Sequence, residues 1–458
     1  MSSNNIISVI DIGTTKIVAL VGKKEENGTF SILGLGHVES RGVTRGNVLN
    51  IIETVKSIKT AVEIAEKQAG TTISEVYVGI AGQNIECIVN ADYLNRNKSE
   101  EEISQEELDY FIKSQENISL KPGQQILQVI PKHFEIDGEV VENPVGCIGK
   151  RLDAKFHLII GLTQNINSIK RCIANAGLRL KKIILEPIAS AKAVLHPEEI
   201  EAGVAMIDIG GGTSDLAIYH KNMLVHTAVI PFGGNVVTSD IEKAFGLTNK
   251  DAERLKIAYG KALPEKNDSE EVVVIESKIQ GREKKEIDLN NISNIIQARV
   301  EEILGFINQQ IMLADGKKHI GIGIVLTGGG SLLKNMPQLT SYCTAFESRI
   351  GYPLVHINQN SQKLMNNPQY ATAIGLLILG SEEENKKTIE KKTEIKQEEK
   401  ATISVTDDFE EVINEKKKKE KKETTPKEIK QQNEKKPGII EKFKGVFSGI
   451  FDDTDSNI

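Results

Sequence analysis

Two stretches of this chain repeat one pattern of apolar and polar positions. IISVIDIGTTKIVALVG (6–22) and GVAMIDIGGGTSDLAIYH (203–220) each read as an apolar strand ending in Asp, a turn of glycines and hydroxyls, and a second apolar strand. A polar turn follows each, KKEENG or HKN, and leads into a third strand-like run, FSILGLG or MLVHTAVIP. A three-strand unit made twice predicts two related domains facing each other across a cleft. The remainder of 1–380 alternates strand-like runs with amphipathic stretches, as an α/β chain does. Within it, EEISQEELDYFIKSQ reads as a helix with strand-like ILQVIPKHFEI and KFHLIIGL beyond it, which predicts a small α+β module over about Gln83–Leu162. GIGIVLTGGGSLLKNMP (321–337) adds a buried strand and a third glycine cluster.

The pattern stops after Gly380. Residues 381–436 hold 16 Lys and 16 Asp/Glu with Phe409 as their one aromatic, too little apolar surface to repay chain ordering, so a disordered charged tether is expected. Beyond it, KPGIIEKFKGVFSGIFDD (436–453) turns apolar again. At 100° per residue, Ile439, Ile440, Phe443, Val446, Phe447, Ile450 and Phe451 gather into an arc of about 140°, with Lys442 and Lys444 on its flanks. A short helix lying in the interface of an anionic membrane fits this pattern, the lysine stems running along the acyl chains. Burial of the arc and ordering of its backbone are opposing terms of similar size, so one copy binds marginally and several bind tightly by avidity.

Composition narrows the classes. A mean hydropathy of −0.24 fits an ordinary cytosolic protein, and no apolar run approaches the roughly 18 residues of a membrane span. MSSNNIISVI lacks a basic segment and is not read as a signal peptide. A formal charge of −7 argues against a nucleic-acid partner. The four cysteines have no CxxC spacing and read as buried reduced thiols, and the eight histidines show no ligand spacing.

The glycine turns carry the candidate chemistry. Glycines let the backbone approach an oxyanion and aim successive N–H groups at it. In the first turn these are Gly13 with Thr14, Thr15 and Lys16; in the second, Gly210, Gly211 and Gly212 with Thr213 and Ser214, the hydroxyls adding donors to phosphate oxygens. Asp11 and Asp208 end the two first strands, where carboxylates hold Mg²⁺ through its waters together with phosphate oxygens. Gly328, Gly329 and Gly330 let the chain pass flat against a base or ribose, and Ser331 is placed to cap a following helix.

Those three motifs, in that order, resemble the actin/Hsp70/sugar-kinase superfamily. LEPIASAKAV (185–194) resembles the segment connecting its two domains, which implies that Glu186 orients the attacking water or the hydration shell of the metal. AERLKIAYG (252–260) resembles the FtsA family of bacterial cell-division proteins, in which Glu253 and Lys256 would reach ribose and adenine; elsewhere the same spacing is a solvated ion pair. Asn335 stands where that family commonly has Gly. The resemblance covers essentially all of 1–380 and implies a definite organisation. Residues 1–82 and 163–195, closed by a helix at 358–380, form the first subdomain, with 83–162 inserted in it. Residues 196–240 and 319–357 form the second, carrying 241–318, and then come the linker at 381–436 and the terminal helix at 437–453. It further implies ATP and Mg²⁺ as ligands, slow hydrolysis at most, and self-association into filaments. The implied partners are the tail of the tubulin-like FtsZ on 241–318, later division proteins, and the cytoplasmic face of the cell membrane at the division site. A pilus-assembly homologue of the PilM type and a small-molecule kinase are the alternatives within the superfamily.

Overall fold

The computed structural model describes residues 6–265, 271–275 and 284–386. The terminal helix expected at 437–453, and the tether from 387 onward, lie outside the described residues.

Both repeats fold into hairpins. Ile6–Ile12 pairs antiparallel with Lys16–Lys24, which pairs with Phe30–Glu39. Val204–Ile209 pairs in the same way with Ser214–His220, and that strand with Met223–Ile230. Each sheet then grows from three strands to five. Glu75–Ile80 and Arg179–Leu185 add in parallel to the first, and Gly323–Thr327 and Ser348–Ile350 to the second, giving one strand order twice. Parallel neighbours arrive by long crossovers, so the local repeat carried no trace of them. The central strands are apolar almost throughout because helices cover both faces.

The helix Ile51–Ala69 begins on Asn50, whose side chain accepts the Glu53 N–H, and stops at Gly70 in the left-handed region. It lies directly on the third strand, since a Cβ at Gly34 or Gly36 would overlap the carbonyls of Ala65 and Ala61. On the second sheet the equivalent cover comes from Gly234–Phe245 and the 25-residue helix Leu289–Leu313. The inserted module is a separate four-stranded sheet in the order Glu86–Asn95, Arg151–Leu162, Gln124–Ile136, Glu139–Val141. The helix Gln105–Ser114 covers one face of it, with Phe111 edge-on to Phe156 at 5.3 Å. Of the four thiols only Cys172 is fully buried; Cys87, Cys147 and Cys343 are half-buried and free, so the expectation of buried thiols holds for one.

Two helices join the halves. Glu186–Val194 leaves the strand Arg179–Leu185, and a second helix runs through 371–386 and packs against it. The acidic run that composition assigned to the tether therefore begins as a helical turn. Glu382, Glu383 and Glu384 pair with Lys192, Lys182 and Lys181 at 2.9, 2.7 and 2.6 Å, and the Tyr77 hydroxyl donates to Glu384 Oε1. Composition could not separate a charged helix end from a charged tether, because the partners lie two hundred residues upstream.

The two helices touch backbone to backbone: a Cβ at Gly375 would overlap the Ala189 carbonyl. Gly375→Ala should therefore lower stability by about 1–3 kcal/mol, the cost of overpacking. Gly305→Ala, on the exposed side of Leu289–Leu313 with open space around it, should instead stabilise by about 0.5–1 kcal/mol. Urea midpoints of the two variants that moved in the same direction would refute the contact.

Candidate functional site

The two hairpin turns meet. A Cβ at Gly211 would overlap the Thr15 side chain, and one at Gly212 the Thr14 side chain, so only glycine allows the second turn to lie against the first. Behind the second turn, the carbonyls of Gly210 and Gly211 accept the N–H groups of Gly234 and Asn235 at 2.9 and 2.8 Å, which ties the turn to the start of a helix. Thr14 Oγ1 accepts the Gly46 N–H at 3.1 Å. Between and below the turns is a cleft of ≈ 240 Å³, lined by Asp11, Gly13, Thr14, Thr15, Lys16, Glu186, Asp208, Gly210–Thr213, Asp215, Gly328 and Gly329, with His37, Gln369 and Thr372 on its wall.

Its floor is strongly acidic. Asp11, Asp208 and Asp215 are 3%, 8% and 4% exposed, and the partly buried Glu186 starts the interdomain helix beside them. Among the described residues one ammonium lines the cleft beside these four carboxyls: Lys16 Nζ lies 3.3 Å from Asp11 Oδ2 and also donates to the Gln369 carbonyl. Burial, and then the charges of Asp11, Asp215 and Asp208, hold Glu186 well above the ordinary carboxylate range. Burial likewise raises Asp215, reinforced by Asp208 and Asp11. Asp208 is raised by burial against the opposing pull of the Ser190 hydroxyl and Lys16. Asp215 Oδ1 is buried and has no hydrogen-bond partner.

That orphaned oxygen and the excess of acid suit a hydrated divalent cation. Among the described residues no cluster of three or more His, Cys, Asp or Glu is arranged to ligate a metal directly. A cation here would be held through its waters and through oxygens of a bound phosphate, the usual habit of Mg²⁺.

The structure distributes the remaining candidates unevenly. Gly328, at φ 80°, leaves room beside Asp208 Oδ1 that no side chain could leave. Gly330 packs on Ile209 instead of facing the cleft. Ser331 is fully buried and donates to the Gly328 carbonyl at 2.7 Å; the next helix starts at Met336, behind Asn335, so Ser331 does not cap it. Asn335 sits at φ 64°, a conformation that Asn tolerates better than most residues, so the departure from Gly there is a mild one. Glu253 and Lys256 form an ion pair of 2.7 Å away from the cleft lining, one layer behind the second turn, where Lys256 Nζ donates to the Gly234 carbonyl at 3.0 Å.

Sequence reasoning missed Asp215. The signal was present: the hairpin register sets Asp215 directly opposite Asp208, whereas the first copy sets Val18 opposite Asp11. The break in the repeat marked the extra acid. Thr372 and Gln369 gave no such signal, because only the tertiary fold brings them to the cleft.

Comparison with known proteins shows what the chain as a whole is similar to. The family model described as cell division protein FtsA matches residues 205–375, and that of the SHS2 domain inserted in FtsA matches 82–160. The cell division protein FtsA of Escherichia coli (strain K12) is 34% identical over 391 residues, covering 83% of this chain and 91% of that protein. FtsA of Neisseria meningitidis serogroup B is 35% identical over 373 residues, covering 81% of this chain and 89% of the relative. Among solved structures, a PilM–PilN type IV pilus biogenesis complex overlays with a TM-score of 0.60 at 15% identity, over 82% of this chain and 98% of its own. MreB5 of Spiroplasma citri bound to ADP gives 0.50 at 16% identity, over 85% and 98%. At those identities the likeness is one of fold.

The acidic floor has a consequence for stability. A carboxyl whose pKa is raised by folding stabilises the folded state below its unfolded pKa, and that contribution is lost as pH rises through the folded value. Asp215→Asn, which cannot ionise, should therefore gain on the parent as pH rises from the ordinary carboxylate range toward 8, in EDTA and without nucleotide. Melting curves of the two proteins that stay parallel across this window would contradict the buried-charge description.

Proposed function

The chain belongs to the FtsA family of cell division proteins, and on that premise we propose that it is an ATP-dependent adaptor that polymerises at the cytoplasmic membrane and anchors FtsZ filaments to it. The observation that carries the nucleotide part is the contact of the two glycine turns over buried carboxylates, one turn from each half. In this reading Gly13–Thr15 and Gly210–Thr213 clasp the phosphates, and Lys16 exchanges the Gln369 carbonyl for a phosphate oxygen. Asp11 and Asp208 hold the water shell of Mg²⁺, with Asp215 completing the acidic floor. Bound Mg²⁺ supplies charge neutralisation for the phosphate oxygens. Glu186, ionised once the aspartates are offset, orients the attacking water. Gly328 and Gly329 shape the ribose and base side, with Gly330 and Ser331 holding their turn from beneath, and Glu253 and Lys256 would reach the ligand only by leaving their ion pair behind the second turn. No further activating cation stands in the cleft among the described residues, so hydrolysis is slow and ATP acts mainly as a clamp between the halves.

FtsZ, in this reading, docks on the part of the second half spanning 241–318. The terminal helix carries the filament on anionic lipid, with later division proteins recruited at the same membrane site.

Two experiments test the proposal. Gly211→Val forces the two turns apart and should abolish Mg·ATP binding in calorimetry; parent-like binding would remove the site assignment. Phe447→Glu places a charge in the centre of the apolar arc. It should eliminate co-sedimentation with anionic liposomes under polymerising conditions while leaving nucleotide affinity intact. Failure of the parent itself to co-sediment would overturn the adaptor reading.

A further inference from the structure

Two hydroxyls that belong to none of the glycine motifs converge on Asp208. Ser190 Oγ donates to Asp208 Oδ2 at 2.7 Å, and Thr372 Oγ1 donates to the same oxygen at 3.3 Å. The two hydroxyls are 3.0 Å apart. Each has one proton. Ser190 gives its proton to Asp208, so the Thr372 proton is shared between Asp208 and the Ser190 oxygen. All three residues are buried, Ser190 completely.

The other carboxylate oxygen is treated differently. Asp208 Oδ1 lies against Gly328, where a Cβ would overlap it. One oxygen is thus fixed by donors and the other is kept clear by a missing side chain. A carboxylate held in this way has a single orientation, whereas one without donors can rotate about its terminal torsion, which is broad and two-fold. The arrangement also crosses the cleft. Ser190 and Thr372 come from the two interdomain helices, while Asp208 ends the first strand of the second half.

We propose that Ser190 and Thr372 are positioning residues that orient the Asp208 carboxylate toward a hydrated divalent cation carried in with the nucleotide. The inference rests on the nucleotide reading above and adds to it the residues that set the geometry of the cation side. Donors behind a metal-facing carboxylate commonly matter nearly as much as the carboxylate itself, and losing them costs about 10- to 100-fold in metal affinity.

The test compares full-length parent, Ser190→Ala, Thr372→Val and Thr372→Ser by ATP-binding calorimetry, in EDTA and across a Mg²⁺ titration. Ser190→Ala should raise the Mg²⁺ concentration for half-maximal enhancement of ATP binding by about 10- to 100-fold. Thr372→Val should raise it by less, because its proton is shared, and Thr372→Ser, which keeps the hydroxyl, should match the parent. ATP affinity in EDTA should be unchanged in all four. A packing role predicts the opposite: equal losses with and without Mg²⁺, and no rescue by Thr372→Ser. Either that result or an unchanged Mg²⁺ midpoint in both Ser190→Ala and Thr372→Val overturns the inference while leaving the nucleotide reading intact. If the parent shows no Mg²⁺-dependent ATP binding, both fall together.

Discussion

Four carboxyls share one lysine at the bottom of the cleft, and much of the surrounding architecture follows from that imbalance. Burying unpaired charge is costly, and proteins avoid it by pairing the charge, protonating it or binding a counter-ion. Here Lys16 meets Asp11, two hydroxyls meet Asp208, and Asp215 keeps an oxygen with no partner. Burial first, and then the neighbouring carboxylates, raise the proton affinity of Glu186 and Asp215. Acids whose proton affinity is raised by burial and by one another would release protons to any cation bound beside them, so proton and cation binding at this floor are coupled. The apolar strands beneath keep the dielectric low, which is what makes the coupling strong.

The duplicated topology explains how two halves deliver that charge to one place. Both sheets have the same strand order, and the first strand of each carries its aspartate, Asp11 or Asp208, to the lining of one cleft. The duplication is not exact where it matters. Asp208 has an acid as its cross-strand neighbour and Asp11 has Val18. The second half therefore contributes two aspartates, the first half contributes Asp11 and the lysine, and the two joining helices contribute Glu186 and the hydroxyls that meet Asp208.

How much of this was legible in the sequence follows the range of the interactions. Hairpins, the acid at each strand end and the glycine turns are local, and the apolar alternation with an Asp-Gly turn wrote them plainly. The sheet within Glu86–Leu162 was legible in part, as a helix with two strand-like runs beyond it, although the order of its four strands was not. The fourth and fifth strands of each sheet were hidden, because parallel pairing joins segments far apart along the chain. Asp215 was legible in principle from the hairpin register and was passed over. Thr372 was not, since nothing in a helical run ahead of a charged segment says that its hydroxyl reaches a carboxylate 164 residues earlier. Composition also misplaced the end of the folded body, because glutamates in a last helical turn look the same as glutamates in a tether.

That last turn shows which force holds the closing helix. Its three ion pairs are partly exposed, and exposed pairs contribute roughly 0–1 kcal/mol each. The middle of the helix is held otherwise: Gly375 sits on the Ala189 carbonyl, while Ile374, Leu376, Leu377 and Ile378 are buried in a core that takes Val9 and Leu20 from the first half and Met206 and Val325 from the second. Burial of each such side chain is worth about 1.5–3 kcal/mol, so packing outweighs the ion pairs severalfold. Leu377 lies on Gly22 and Leu376 beside Gly79, so part of this packing is against the strands of the first sheet. Thr372, in the first turn of the helix, donates to a carboxylate of the second half. That contact lies beside the Ser190–Asp208 bond and the touching turns, and at 3.3 Å, with a shared proton, it is the longer and weaker of the two bonds to Asp208 Oδ2.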